Sequence, residues 1–251
     1  MAIVAKSPRV LDQLEKIISF LAQLCIVLLC LDVLGFRMGI LPGFVAISAL
    51  YIMFAFSGIV CLIGLIVIIY RFIINRRVGV ELLLLLLLVS MPLVIRFPVL
   101  GVDILQPSNI NDVSTDIDSP PDFTYAASLR SPSQNALEDQ TSRYRLGFAA
   151  RVPGVEPLLV DMPLRGAFRQ ASYVVALEGW SVVKEDLESG CIEAIARSPI
   201  MGFESDIVIR IVPVSRDSSI LDIRSSSRDV ADDYGLNATQ IRSFLKKYQA
   251  L

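Results

Sequence analysis

The sequence contains no histidine among its 251 residues. Without an imidazole the chain cannot form a Ser-His-Asp triad or a Cys-His pair, and it lacks the commonest side-chain ligand of metal ions. Histidine-dependent hydrolysis and most zinc sites are therefore excluded. We predict no metal site and no cofactor.

Cysteine is scarce as well, with four in the chain. Cys25, Cys30 and Cys61 lie inside apolar runs, and only Cys191 lies in the polar C-terminal half. A disulfide within that half is therefore excluded. We expect the cysteines to pack as small apolar side chains.

Apolar residues are abundant: they make up 54% of the chain, and the mean hydropathy of +0.61 is high for a soluble domain. Three runs are long enough to cross the hydrocarbon core of a bilayer, which takes ~20 helical residues. These runs cover residues 17–36, 44–70 and 78–95. The sequence therefore predicts three transmembrane helices within residues 1–100, with the lipid bilayer as a partner.

Few ionisable residues interrupt these runs: Asp32, Glu81 and Arg96. A charged group inside a membrane often marks an ion or proton pathway. All three residues lie near the end of a predicted span, where their side chains can reach the interface. We therefore expect them to act as anchors.

The basic residues that flank the spans predict the orientation. Two lie on one side of the membrane, Arg37 and Arg96. Six lie on the other side, namely Lys6, Arg9, Lys16, Arg71, Arg76 and Arg77. Because cytoplasmic flanks carry the excess of Lys and Arg, the N-terminus is predicted to be cytoplasmic. In a bacterium, three spans in the inner membrane then place the C-terminal part in the periplasm.

The composition changes after the third run. Residues 101–154 are rich in Asp, Asn, Ser, Pro and Gln, which cannot bury a core of their own. The segment is long for a simple connection, so we expect a polar linker that lies partly extended along the folded domain. Residues 155–251 are predicted to form that domain, on the extracytoplasmic side.

The domain is predicted to be a small α+β fold. A helix with Asp161 as its N-cap runs to Glu178, where Gly179 ends it. A second helix closes the chain, with Asn237 as N-cap and Gln240 completing a capping box. Between the helices, four alternating segments predict a four-stranded, mostly antiparallel sheet: residues 180–185, 191–197, 206–212 and 219–225.

Apolar residues at helical spacing predict which helix faces cover the sheet. In the first helix they are Leu164, Ala167, Phe168, Ala171, Val174 and Val175. In the second they are Ile241, Phe244, Leu245 and Tyr248. On the strands, Ile207, Ile209 and Ile211 alternate with Asp206, Val208 and Arg210.

The most polar stretch, DIRSSSRDVADDYGLN, begins at Asp222. It suggests a polar cleft in which arginines and hydroxyls hold an anionic group. The candidate residues are Arg224, Ser225, Ser227, Arg228, Asp233, Asn237, Arg242 and Asp206. The structural alternative is a turn in which Arg228 pairs with Asp233 and the serines bond nearby backbone. Under that alternative, Arg224 alternates with Ile223 and points away from the core.

The same stretch carries a resemblance. Asp206 followed by IVIRI, then DIRSSSR, Asp233 and Gly235, resembles the pattern of the domain-of-unknown-function family 1499. Asn237 and Arg242 also match, whereas Val230 stands where the family has glycine and Asn111 where it often has histidine. The resemblance implies a membrane-anchored bacterial envelope protein with a small α+β domain, and it implies no reaction.

Three functions remain open. The first is a membrane-tethered binding or assembly module, with an envelope protein, a lipid headgroup or a glycan as partner and no nucleic acid. The second is an envelope enzyme of the hydrolase type, in which Asp232 or Asp233 is the general base and Ser225 or Ser227 the nucleophile. The third is a transport component. We expect the binding or assembly function rather than an enzyme.

Overall fold

The computed structural model divides the chain into two compact units, Met1–Gly101 and Val102–Leu251. It describes residues 7–74, 79–99, 111–137, 152–230, 233 and 235–251.

The first unit consists of three helices, α1 (Ser7–Arg37), α2 (Gly43–Ile73) and α3 (Val80–Val99). Among the described residues, two stretches are long and apolar enough to cross a membrane: Val10–Arg37, with mean hydropathy 2.6, and α2, with 3.0. The apolar stretch found in α3, Val80–Ser90, is shorter. Two of the three predicted spans are thus candidates for membrane crossing by length and composition, and the third coincides with the helix α3.

Small side chains bring α2 and α3 together. A Cβ added at Gly64 would lie 2.5 Å from the end of the Leu86 side chain, which would have to move to admit a larger residue. About two turns earlier in α2, the buried Ser57 donates a hydrogen bond of 2.8 Å to the carbonyl of Val89 in α3. A separate contact joins α2 to α1: Arg71 pairs with Asp12 at 2.6 Å and with Glu15 at 2.6 Å.

The three ionisable residues predicted as anchors have different environments. Glu81 is exposed. Asp32 is not: only 5% of it is exposed, and neither carboxylate oxygen has a hydrogen-bond partner within the described part of the chain. The side chain of Arg96 lies outside the described residues. Asp32 is therefore buried although it lies near the end of α1.

The second unit is built on one antiparallel sheet. Its four long strands form a meander: β3 (Ser181–Asp186), β4 (Cys191–Arg197), β5 (Glu204–Pro213) and β6 (Ser219–Ser227). Two short strands, β1 (Asp112–Ser114) and β2 (Leu158–Val160), pair with β6 in succession. The sheet therefore has six strands rather than the predicted four, because three-residue strands are too short to show an alternating pattern.

Two helices cover one face of the sheet, α4 (Leu164–Glu178) and α5 (Leu236–Gln249), and together they are called the helix layer. Their predicted apolar faces are confirmed: every named position is buried except Leu164, which is partly buried against the core. The isoleucines of β5 lie in the same core, as the alternation predicts. α4 ends at Gly179, with φ of 71°, but it begins after Pro163 rather than at Asp161.

The other side of the sheet, called the polar face, carries alternate residues of the same strands, including Asp206 and Arg210 of β5 and Arg224 of β6. Residues 111–137 pack on it: β1 pairs with β6, and a short 3-10 helix, Ala126–Leu129, follows. Charged side chains of the sheet are buried there rather than solvated.

Candidate functional site

The candidate residues lie in separate environments rather than in one cleft. The pleat of β6 sends alternate side chains to opposite faces, so Arg224 lies on the polar face. Ser225 and Ser227 lie on the side of α5. Arg242 lies apart from all of these: it is exposed, and its Nε donates to the carbonyl oxygen of Pro153 at 2.9 Å.

Arg224 is buried, and only 4% of it is exposed. Its Nε and Nη2 bind the two carboxylate oxygens of Asp112 at 2.9 and 3.0 Å, and its Nη1 donates to the carbonyl of Pro121 at 2.9 Å. The guanidinium also lies 4.9 Å from the ring centroid of Phe123. The prediction that Arg224 points away from the apolar core is correct, but residues 112–123 cover it and use its donors.

Asp206 joins two arginines from different parts of the chain. Arg228 binds its Oδ1 through Nε at 2.9 Å and through Nη2 at 2.6 Å. Arg130 binds its Oδ2 through Nε at 2.7 Å. Arg228 also donates to Glu204 at 2.9 Å. The predicted pair of Arg228 with Asp233 is therefore wrong, because the carboxylates of β5 lie directly beside the end of β6.

These carboxylates affect the titration of Arg228. Burial lowers its pKa, but the hydrogen bonds and charges of Asp206 and Glu204 outweigh burial and raise the pKa overall. Arg228 therefore remains a cation inside the domain. Since Asp206 is fully buried, the cluster is an internal ion network rather than a solvent-facing site.

Arg130 is a residue that the sequence did not single out. Besides Asp206, it donates to the carbonyls of Asn135 at 2.6 Å and Ser226 at 3.0 Å. The side chain of Asn135 in turn donates to the carbonyls of Ser227 and Val230 at 3.0 and 2.6 Å. Asp206, an acid beside the alternating isoleucines of β5, was the available signal, because a carboxylate that is buried in a sheet requires a partner.

The two serines belong to a hydrogen-bonded network with α5. Ser225 Oγ donates to the side-chain oxygen of Asn237 at 2.7 Å and lies 2.9 Å from that of Gln240. The amide nitrogen of Asn237 donates to the carbonyl of Asn111 at 2.9 Å and to Ser227 Oγ at 3.1 Å. Ser225 and Ser227 of β6 are thus bound to the N-terminal part of the helix.

The predicted capping box is wrong, because α5 begins at Leu236 and Asn237 lies inside its first turn. The capping acceptor is Asp233, whose Oδ2 accepts the backbone N–H of Asn237 at 2.8 Å and whose Oδ1 accepts that of Gly235 at 2.9 Å. A carboxylate at this position is also stabilised by the positive end of the helix dipole. Asp232, the other predicted base, lies outside the described residues.

Glu193 forms a further buried site on the polar face, which the sequence did not indicate. Its carboxylate accepts the hydroxyl of Thr124 and the backbone N–H groups of Thr124, Tyr125 and Ala126, the last at 2.7 Å. Burial raises the pKa of Glu193, but these hydrogen bonds together outweigh burial and lower it. Glu193 therefore fixes the 3-10 helix to the sheet as a carboxylate.

A third ion cluster completes the polar face. Arg210 Nη2 lies 2.9 Å from Asp116 and 2.9 Å from Asp222. The other oxygen of Asp222 accepts the hydroxyl of Thr115 at 3.3 Å. In each of the three clusters, one partner belongs to the sheet and another to residues 111–137. Asp222 and Arg224 of the polar stretch, together with Asp206 and Arg210 of β5, thus hold that segment on the sheet.

An apolar row lies at the far end of the same face, beyond Arg210. Leu159 of β2 pairs with Ile220 of β6, which pairs with Val212 of β5. Side chains of paired residues point to the same side of a sheet, so the three residues are neighbours. Leu159 is 63% exposed and Val212 is 44% exposed. These three residues are called the apolar row.

The chemistry of the candidate residues follows from these contacts. The guanidinium N–H groups of Arg224 and Arg228 donate to acceptors within the protein, so neither side chain is placed to bind an external anion through two parallel hydrogen bonds. Ser225 is fully buried beside amide groups, and Asp233 accepts backbone N–H groups, so neither is placed as nucleophile or base. In the part of the chain that the structure describes, no group of three or more metal-binding side chains occurs.

A protein-family model, described as "Protein of unknown function (DUF1499)", matches residues 112–248. The match includes β1 and extends almost to the end of α5, so it covers the sheet, the helix layer and the segment on the polar face. No curated protein matches the chain.

Proposed function

Because the chain belongs to the DUF1499 family, whose description gives no function, we propose a role from its own residues: a membrane-anchored binding or assembly module of the bacterial envelope. The observation that carries the proposal is the exposed apolar row on a domain whose conspicuous polar residues are used internally. Contiguous exposed apolar surface, especially where polar residues rim it, marks sites of interaction with a partner.

The anchor in this proposal is the first unit. Its two long apolar helices are able to cross a membrane, and α3 provides a third crossing. The excess of Lys and Arg before α1 and between α2 and α3 favours a cytoplasmic N-terminus in the inner membrane. The domain of residues 155–251, together with the polar segment before it, is then periplasmic.

The ion network supports a binding function over a catalytic one. Catalytic acids and bases need to reach a substrate, whereas Asp206 and Glu193 are fully buried under residues 111–137. Paired buried charges of this kind favour one arrangement of the chain, because separating a pair would leave a buried charge without its partner. The polar face therefore acts as a rigid support for the surface beside it.

The partner that fits the apolar row is a protein with an apolar contact of its own. Three side chains on three adjacent strands form a strip, and Val214 in the β5–β6 hairpin, 57% exposed, extends the apolar surface. The hairpin also carries Arg216 and Asp217, which supply a polar rim. An apolar centre with a polar rim is the usual anatomy of a protein interface.

The proposal is tested with a photoactivatable amino acid at Val212 of the full-length protein in cells. We expect one adduct of defined size. Mass spectrometry identifies the protein in this adduct, and adding that protein in purified form should reduce adduct formation. Val212→Asp combined with the probe at Leu159 should abolish the adduct, because a carboxylate cannot be desolvated in an apolar contact.

Ile200→Asp is the matched control, since Ile200 is a 64% exposed apolar residue in the β4–β5 turn, away from the apolar row. It should leave the adduct from Leu159 intact. An adduct that survives Val212→Asp, or one formed only with phospholipid, would assign the apolar row no protein partner and would refute the proposal.

A further inference from the structure

The outer side of the helix layer carries an unusual charge. α4 and α5 together contain five Lys or Arg residues and one acidic residue, Glu178, which gives a net charge of +4. The remainder of residues 101–251 contains ten Lys or Arg and twenty Asp or Glu. The helix layer is therefore a positive surface on an acidic domain.

Three of these cations are exposed and have no partner among the described residues: Arg165, Arg169 and Lys246. The other two have partners: Lys247 pairs with Glu178 at 3.1 Å, and Arg242 donates to Pro153. The charge of the outer side is thus available to an external anion, in contrast to the arginines of the polar face.

Exposed apolar residues continue the same side of α4. Arg165, Arg169, Tyr173 and Leu177 recur every four residues, about one helical turn apart. Tyr173 is 55% exposed and Leu177 is 49% exposed. Two arginines followed by a tyrosine and a leucine resemble the surface of a helix that lies at a lipid headgroup boundary.

We propose that the outer side of the helix layer binds the anionic lipid surface of the membrane in which the chain is anchored. Arg165, Arg169 and Lys246 contact phosphate groups, and Tyr173 and Leu177 enter the headgroup region. The inference rests on the membrane anchor of the proposed function and adds a lipid contact to it, on the side of the sheet opposite the apolar row.

The chain itself favours a lipid partner over a soluble acidic protein. Only residues 100–111 separate the end of α3 from β1, and twelve extended residues reach at most about 40 Å. A domain held so close to a bilayer experiences the surface at a high effective concentration. The attraction of basic residues to anionic lipids acts within a Debye length, about 8 Å at physiological salt.

The single tryptophan of the chain provides the probe for the test. Trp180 follows Gly179 at the end of α4, is partly buried, and stacks on Phe244 of α5 with 5.7 Å between ring centroids. Brominated lipids quench a tryptophan only at short range. The full-length protein is placed in nanodiscs of brominated phosphatidylcholine, with or without brominated phosphatidylglycerol, and its fluorescence is compared.

We expect quenching of Trp180 to be roughly twofold greater or more in the discs with phosphatidylglycerol, and the excess to vanish at about 0.5 M salt. Arg169→Glu should remove the excess. Arg216→Glu, the matched control, makes the same charge change in the β5–β6 hairpin and should retain it. Tyr173→Trp places a second tryptophan on the outer side itself and should increase the excess.

Equal quenching in both kinds of disc, for the native chain and for Tyr173→Trp, would overturn the lipid contact. So would an acidic protein that binds the chain in salt-sensitive fashion and is lost in Arg169→Glu without any lipid dependence. Neither result tests the proposal for the apolar row, because the crosslink from Val212 is measured separately. Failure of the lipid contact is therefore distinct from failure of the proposed function.

Discussion

Removing the side chain of Arg224 should leave the carboxylate of Asp112 buried without its cation. Both residues are less than a tenth exposed, and breaking one side of a buried pair costs ~3–5 kcal/mol. We therefore expect Arg224→Ala to lower the melting temperature of the second unit substantially. Trp180, the only tryptophan, lies in that unit, so its fluorescence in the detergent-solubilised full-length protein reports this transition.

The control for Arg224→Ala is Arg216→Ala, which removes an exposed arginine from the β5–β6 hairpin and should change stability by about 0.5 kcal/mol or less. If Arg224→Ala were as mild as this control, the guanidinium would not be buried under residues 112–123. The prediction from the alternation along β6, that Arg224 faces solvent, would then be correct.

Also at the scale of the residue, Glu193 should make the domain sensitive to acid. Its pKa in the folded chain lies below the ordinary 4.5, so the unfolded chain binds its proton first as the pH falls. The stabilisation is present above the unfolded pKa and is lost as the pH falls through the folded pKa, below about pH 4. We expect the melting temperature of the native chain to fall over this range.

Glu193→Gln should have a lower melting temperature at neutral pH and a flatter decline below about pH 4, because no carboxylate remains to be protonated. Glu185→Gln removes an exposed carboxylate from β3 and serves as the control. Parallel pH profiles for the native chain and Glu193→Gln would contradict the role of Glu193 as a charged acceptor for the 3-10 helix.

At the scale of the element, the turn between β3 and β4 depends on Gly190. Its φ is 66°, a conformation that costs other residues ~1–2 kcal/mol, and an added Cβ would lie 2.2 Å from the carbonyl oxygen of Ile211. Gly190→Ala therefore has to displace β5 as well as strain the backbone. We expect a clear loss of stability in denaturant unfolding.

Gly179→Ala is the matched control for this element. Gly179 has a similar φ of 71°, but nothing lies within 4 Å of the position of an added Cβ. Its substitution should cost only the backbone strain of ~1–2 kcal/mol. Equal losses for the two substitutions would show that the turn before β4 yields to the added methyl group at no cost.

At the scale of the whole molecule, the number of crossings decides where the domain lies. If α3 crosses the membrane, alkaline phosphatase fused after residue 101 should be active, and the same reporter fused after Arg77 should be inactive. The physical reason is the excess of Lys and Arg before α1 and between α2 and α3. Activity is measured in intact bacteria, with a fluorescent protein at the same two junctions as the complementary reporter.

A fluorescent fusion after residue 101 would contradict the periplasmic location. It would mean that the chain crosses twice, through α1 and α2, which are long and apolar enough among the residues that the structure describes. The lipid contact of the helix layer would then concern the cytoplasmic leaflet. The apolar row and the outer side of the helix layer would keep their geometry, because both belong to one compact unit.

The sequence by itself determined the elements whose residues repeat with the period of one secondary structure. The end of α4 at Gly179, the apolar faces of both domain helices and the four-strand meander follow from local periodicity and conformational preference. Membrane-crossing length is also local, since it depends on consecutive apolar residues. The family likeness was likewise carried by a short signature, and the match to residues 112–248 confirms it.

Only the tertiary structure decided the partners of the polar residues. Arg224 binds Asp112, and Asp206 binds Arg130, across separations of 112 and 76 residues. No local pattern predicts such a pair, because the sequence of a strand is the same whether its charged residue faces solvent or a distant segment of the chain. Asp233 rather than Asn237 caps the helix, and the side chain of Asn237 instead bonds to Ser225 and Ser227 of β6. The polar stretch is thus a structural network because residues 111–137 return to the sheet and pair with it.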